Sequence, residues 1–199
     1  MKPLFEMLAG YNAWANERIY DAAAALSDAD YRADHGAFFD SVHGTLNHLL
    51  VGDRIWMRRL TGEGPSPTQL DAILYGDFGD FRAARAAEDA RIITYVASLT
   101  PADLAGTLRY RTISNPADIE QVLSLALVHV FNHQTHHRGQ VHGLLTRITN
   151  EAPSLDLILY QRQTGLGLVS GAPVARGRPA TPRGRVGYAL KHHASKSRK

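Results

Sequence analysis

The chain predicts an all-α fold, a four-helix bundle with a short helix after it. Three observations carry this: four long segments with apolar residues at helical spacing, Gly- or Pro-rich stops between them, and no strand-rich block or internal repeat to compete. At 199 residues with 44% hydrophobic and 21% charged side chains, one core of ordinary size is expected.

The first segment, residues 4–26, is Ala-rich and sets Leu4, Leu8, Tyr11, Ile19 and Leu26 in a loosely helical pattern that Ser27 and Asp28 interrupt. The second, residues 38–60, gathers Val42, Leu46, Leu49, Trp56 and Leu60 on one arc and stops at Gly62, Gly64 and Pro65. A weaker third helix spans residues 78–99 and ends before Pro101. Residues 107–113 read as a short extended turn before Asn115 and Pro116. The fourth helix, residues 117–148, holds the longest apolar stripe, from Leu123 through Leu127, Val130, Val141 and Leu145 to Ile148. A final short helix over residues 154–163 follows Pro153.

The net charge of +3 is unevenly placed. Residues 166–199 hold eight Lys/Arg and no acid, which leaves 14 basic against 19 acidic residues, a net −5, in residues 1–165. The tail is rich in Gly and Pro and poor in large apolar residues, so a folded domain is expected over residues 1–165 and a disordered basic tail over 166–199. Deleting that tail should leave the thermal transition of the core nearly unchanged, checked by calorimetry. Its charges also admit nucleic-acid association without sequence readout as an alternative role, although Tyr188 is its one aromatic residue and the core is acidic. The N-terminal apolar stretch is broken by Glu6 and Asn12, and no run of about 18 apolar residues exists, so a cytoplasmic protein with no membrane association is expected.

There are no cysteines, which removes disulfides, thiolate ligands and a cysteine nucleophile. Five of the ten histidines fall within residues 129–142. On a helix, His129, His133 and His137 stand one turn apart, and two imidazoles at i, i+4 supply two ligands of a zinc-like site. Relative to Leu123, His137 lies about 40° and His133 about 80° from the stripe centre, with His129 at about 120°. They sit on the flank of the core, where a bundle opens into a cleft. The third ligand must come from elsewhere, and His48 lies on a matching flank of the second helix, near Gly52, whose missing side chain leaves room. His136 and His142 read as surface residues. Gln134 and Arg138 read as partners of buried polar groups. Gln140, beside His133 and His137, and Asp53, near the centre of the second stripe, are candidates to hydrogen-bond a ligand ring from outside. Pairing with an arginine is the plainer role for Asp53. The chain lacks the Glu-x-x-His pattern of di-iron bundles, an HExxH helix and a GxxxxGK[ST] loop.

The segments TLNHLLVGDRIWMRRL, HVFNHQTHHRGQV and LDLILYQR together resemble the DinB-like family of damage-inducible proteins, related to the YfiT-like metal-dependent enzymes, over about residues 3–163. The resemblance implies an up-down-down-up four-helix bundle, a divalent metal, zinc or nickel, on His48, His133 and His137, and a stress-response setting. It leaves His129 as the alternative ligand. It further implies a metal-dependent small-molecule transferase or hydrolase, with a low-molecular-weight thiol as cosubstrate, and a homodimer. A metal-binding protein without turnover is the competing reading. The apolar residues of the first helix, Leu4, Phe5, Leu8, Tyr11 and Trp14, spread wider than one stripe needs, which also favours a second subunit or a cover at the bundle end. The basic tail lies outside the resemblance.

Overall fold

The computed structural model describes residues 1–169, and the basic tail expected to be disordered over residues 166–199 lies almost wholly outside the described residues. Among the described residues, seven helices and one two-stranded sheet occur in the order α1 (Lys2–Ala24), α2 (Asp28–Arg32), α3 (Val42–Thr61), α4 (Phe78–Ser98), α5 (Pro101–Ala105), β1 (Thr107–Arg111), β2 (Asp118–Val122), α6 (Leu123–Thr149) and α7 (Leu157–Thr164). The long helices pack α1 on α4, α3 on α6, α1 on α6 and α3 on α4. No helix among the described residues is long and apolar enough to cross a membrane.

Local chemistry sets most boundaries. The Ser41 hydroxyl accepts from the Gly44 N–H at 2.9 Å and starts α3, four residues later than the apolar pattern begins. Residues 36–40 form a tight turn instead, with Gly36 at φ 73° and Asp40 at φ 61°. Gly62, at φ 75°, ends α3 in the left-handed conformation that costs glycine least. Ser27 and Asp28, read as an interruption, open a one-turn helix, because the Ser27 hydroxyl caps Asp30. A capping box between Thr100 and Asp103 starts α5.

The largest departure from the sequence reading is at residues 117–122, expected as the first turns of the fourth helix. They form β2, antiparallel to β1, with Tyr110 opposite Ile119 and Arg109 opposite Glu120. The segment alternates exposed and half-buried positions, which is the period of a strand. Exposed ion pairs Arg109–Glu120 (3.1 Å) and Arg111–Asp118 (2.9 Å) join its outer face to β1.

Besides smaller groups around Tyr160 and around Trp56, two large apolar clusters fill the interior. One holds Ile19, Leu46, Leu50, Phe81, Val141 and Leu145, and the other Phe5, Met57, Ile92, Val96, Leu127 and Phe131. Along each long helix, the residues between these clusters are polar and buried: Asn12 and Asn16 on α1, Asp53 on α3, Arg85 and Asp89 on α4, Gln134 and Arg138 on α6. They form one connected layer. Arg85 meets Asp53 at 2.7 Å and Asp89 at 2.9 Å, while the Asn12 and Asn16 amides donate to Asp89. Arg138 donates to the side-chain oxygens of Asn12 and Asn16, and Gln134 donates to Asp53. Two cations and two anions compensate one another out of water, as buried charges require.

At the bundle end, the surplus apolar surface of α1 is partly met within the chain. Tyr11 and Trp14 pack on Tyr160 of α7, with ring centroids 6.0 and 5.7 Å apart. Leu4 stays half exposed.

Candidate metal centre

α3 and α6 face each other, and their contact brings His48, His133 and His137 together, with one ligand atom of each within 4.8 Å of the others. The Nε2 atom of His48 lies 3.2 Å from that of His133 and 3.2 Å from that of His137. Gly52 makes the approach possible. A Cβ there would stand 3.0 Å from Cε1 of His133, so the room left by this glycine is taken by the ring from the opposite helix.

The other ring nitrogens fix which way the lone pairs point. Nδ1 of His48 donates to the Leu70 carbonyl at 2.7 Å, since a carbonyl can only accept. Asn47 holds that connection in place by accepting from the Leu74 N–H (2.8 Å) and the Tyr75 N–H (3.3 Å). Nδ1 of His137 donates to Oε1 of Gln140 at 2.7 Å. Both rings therefore present bare Nε2 lone pairs to each other across 3.2 Å, an arrangement that repels without a cation between them. Phe39 stacks on His48 at 3.9 Å and walls the site on one side.

Electrostatics keep the rings ready to act as ligands. Burial lowers His48 below the usual imidazole value. Burial, then the neighbouring His137 and His48, lowers His133 to about 3. Burial lowers His137 to about 4, against the opposing hydrogen bond to Gln140 and with the help of His48. All three are neutral at pH 7, the form a metal binds.

The donor set fits a small divalent ion. A tetrahedral zinc with nitrogens at about 2.0–2.1 Å sets them ~3.3 Å from one another. The two observed separations are 3.2 Å. Such a site has three protein ligands, the number that leaves a coordination position for a small molecule.

The remaining expected residues fall as follows. Gln140 bonds a ring of the group directly. Asp53 bonds none of the three rings; its carboxylate faces Arg85 and Gln134 in the buried layer, so the outer orienting role passes to the Leu70 carbonyl and Gln140. His129 lies outside the converging nitrogens, its ring tilted against Trp56 at 5.1 Å and 5.8 Å from His133. His136 and His142 also lie outside the group. A cavity of about 500 Å³ opens beside the centre, lined by His48, His133, His129, Trp56, Arg59 and the turn at residues 112–117. Arg59 is absent from the sequence reading, and the turn is read there without a place at the site. Arg59 was within reach of it, because His48, Gly52, Ile55 and Arg59 recur at helical spacing along one face of α3.

Fold and site together define a mainly helical protein with a buried three-histidine cluster able to hold a metal ion. The chain belongs to the DinB family, whose family model matches residues 1–173. It is 24% identical over 155 residues to a protein named "Protein DinB" from Bacillus subtilis (strain 168), an alignment covering 75% of this chain and 89% of that protein. No solved structure matches it.

Two outcomes follow from this geometry. Gln140→Leu removes the acceptor that orients His137 and should weaken metal binding by about 10–100-fold with the fold intact, whereas His136→Ala should not change it. Competition against a zinc chelator measures both. The second concerns acid. A histidine with a depressed folded-state value binds fewer protons folded than unfolded between that value and 6.5. The metal-free protein should therefore lose stability as pH falls from 6.5 towards 4 and 3. Urea titrations across that range should show a steeper loss for the native chain than for His133→Ala; equal slopes would mean that His133 is not buried as a neutral ring.

Proposed function

We propose that His48, His133 and His137 hold one divalent ion, zinc or nickel, and that the protein is a metal-dependent small-molecule transferase or hydrolase with a low-molecular-weight thiol as cosubstrate. One observation carries the reading: the Nε2 atoms of three neutral rings converge beside an open cavity, with two of the rings oriented from behind. Bound there, the ion would act as a Lewis acid and lower the pKa of a coordinated thiol or water. The four long helices are read as the up-down-down-up bundle that carries such a site, supported by their pairwise packing.

The chain's own residues supply the rest. Phe39, Trp56 and Leu70 flank the centre with apolar surface, which limits water around it. His129 lines the same cavity and is held below its ordinary value by burial and the Arg59 charge, so its neutral ring can take a proton from a bound thiol or water. The chain has no cysteine of its own, so a thiol nucleophile would be external.

The test is turnover of the zinc- and nickel-loaded chain with glutathione, bacillithiol and mycothiol against a panel of electrophiles. Thiol-dependent consumption that stops on chelation and returns with metal is expected. Full metal occupancy with no turnover would favour a metal-binding protein that is not an enzyme.

A further inference from the structure

We propose that Arg59 anchors a carboxylate of the small molecule that occupies the cavity beside the three histidines, which makes acidic small molecules the substrate class of this centre. The inference rests on the proposed function for its placing of the reacting end of the molecule, and on Arg59 alone for the other end. Arg59 lies on α3, eleven residues beyond His48 and hence ~16 Å further along the helix axis. Side chains on a helix lean towards its N-terminus, so the guanidinium is carried back over the turn that bears Trp56. Its guanidinium carbon lies 4.7 Å from the Trp56 centroid and 4.6 Å from that of Tyr110, and the two rings are themselves 5.1 Å apart, so both meet the charge from one side. One Nη donates to the Arg111 carbonyl at 3.1 Å. Both rings hold it from one side, and its place on the cavity lining leaves the rest of the guanidinium for a ligand.

The charge has no partner. Arg54, Arg85 and Arg91 each meet a carboxylate, but none among the described residues lies within ion-pair distance of Arg59. Among the described residues, the cavity it lines contains no Asp or Glu, although residues 1–165 carry a net −5. A half-buried guanidinium held against two rings, in an acid-free cavity of an acidic domain, matches a planar anion taken through two parallel hydrogen bonds. A carboxylate fits that fork. A phosphate dianion would call for further cations, and among the described residues Arg59 is the one Lys or Arg on the lining. Thr112, Ser114 and Asn115 supply hydroxyl and amide groups along the same wall.

Trp56 reports on this anchor directly. The chain has two tryptophans, so a Trp14→Phe background isolates its fluorescence. Glutarate, its uncharged diamide and inorganic phosphate are titrated into zinc-loaded and metal-free protein. A saturable response to glutarate, absent with the diamide, is expected in both forms. Arg59→Gln should weaken glutarate binding at least tenfold, with metal content and thermal unfolding unchanged, and Arg59→Lys should fall between. Equal binding of glutarate and the diamide, no response to glutarate, tighter binding of phosphate, or an unchanged glutarate affinity in Arg59→Gln would each overturn the assignment. A response that survives Arg59→Gln but disappears with the metal would place the carboxylate on the ion, which also overturns it. Failure of the metal reading would leave the response of the metal-free protein in place, so the two ideas fail separately.

Discussion

His133→Ala is expected to purify with metal at background level, while His129→Ala retains it. His133 approaches from α6 into the space left by Gly52 and is one of three converging donors, and two remaining imidazoles no longer enclose an ion. His48→Ala and His137→Ala should behave alike, each leaving its outer partner, the Leu70 carbonyl or Gln140, without a ring to hold. Because His133 is the most exposed of the three, its replacement should perturb packing least and give the cleanest reading. Elemental analysis of untagged chains purified without added metal decides it. Retention of metal by His48→Ala together with its loss from His129→Ala would move the third ligand to His129.

Arg85→Leu is the second large effect, and it acts on stability. Arg85 carries the positive charge shared by Asp53 and Asp89, so its removal leaves two carboxylates facing each other in a layer closed to water. Breaking a buried pair in this way costs about 3–5 kcal/mol. The pH dependence has a definite sign. Burial, with the charge of Asp89, already raises Asp53 to about 6 against the lowering by Arg85 and Gln134. Without Arg85 the carboxylate rises further, the folded state binds more protons than the unfolded one, and the deficit relative to the native chain shrinks as pH falls towards 5. Urea unfolding at pH 7.5 and pH 5 measures both. An equal deficit at the two values would mean that lost packing, not uncompensated charge, dominates.

The long helices are readable from sequence because each hides one stripe, and the stripe is a property of single residues at fixed spacing. His133 and His137 are readable for the same reason. The buried layer is only half readable. Asp53 stands out on its helix, yet nothing in its own segment says whether an arginine or a histidine will meet it, and Arg85 lies on the helix with the weakest pattern. The Leu70 carbonyl is invisible to any reading of side chains, since a backbone group from the α3–α4 connection performs the task. The extended reading of residues 107–113 meets β1, but β2 is missed because Leu123 begins a strong helical stripe, and residues 117–122 are short enough to be absorbed into it. Short helices α2 and α5 depend on caps at Ser27 and Thr100 rather than on periodicity.

Metal K-edge X-ray absorption on the untagged, full-length chain tests the central claim most directly. One ion per chain, with a first coordination sphere dominated by three imidazole nitrogens and one oxygen or sulfur ligand that changes when a thiol is added, is the predicted spectrum. A chain without a stoichiometric ion after zinc or nickel loading, or an ion surrounded by oxygen ligands with no imidazole scattering, would contradict it.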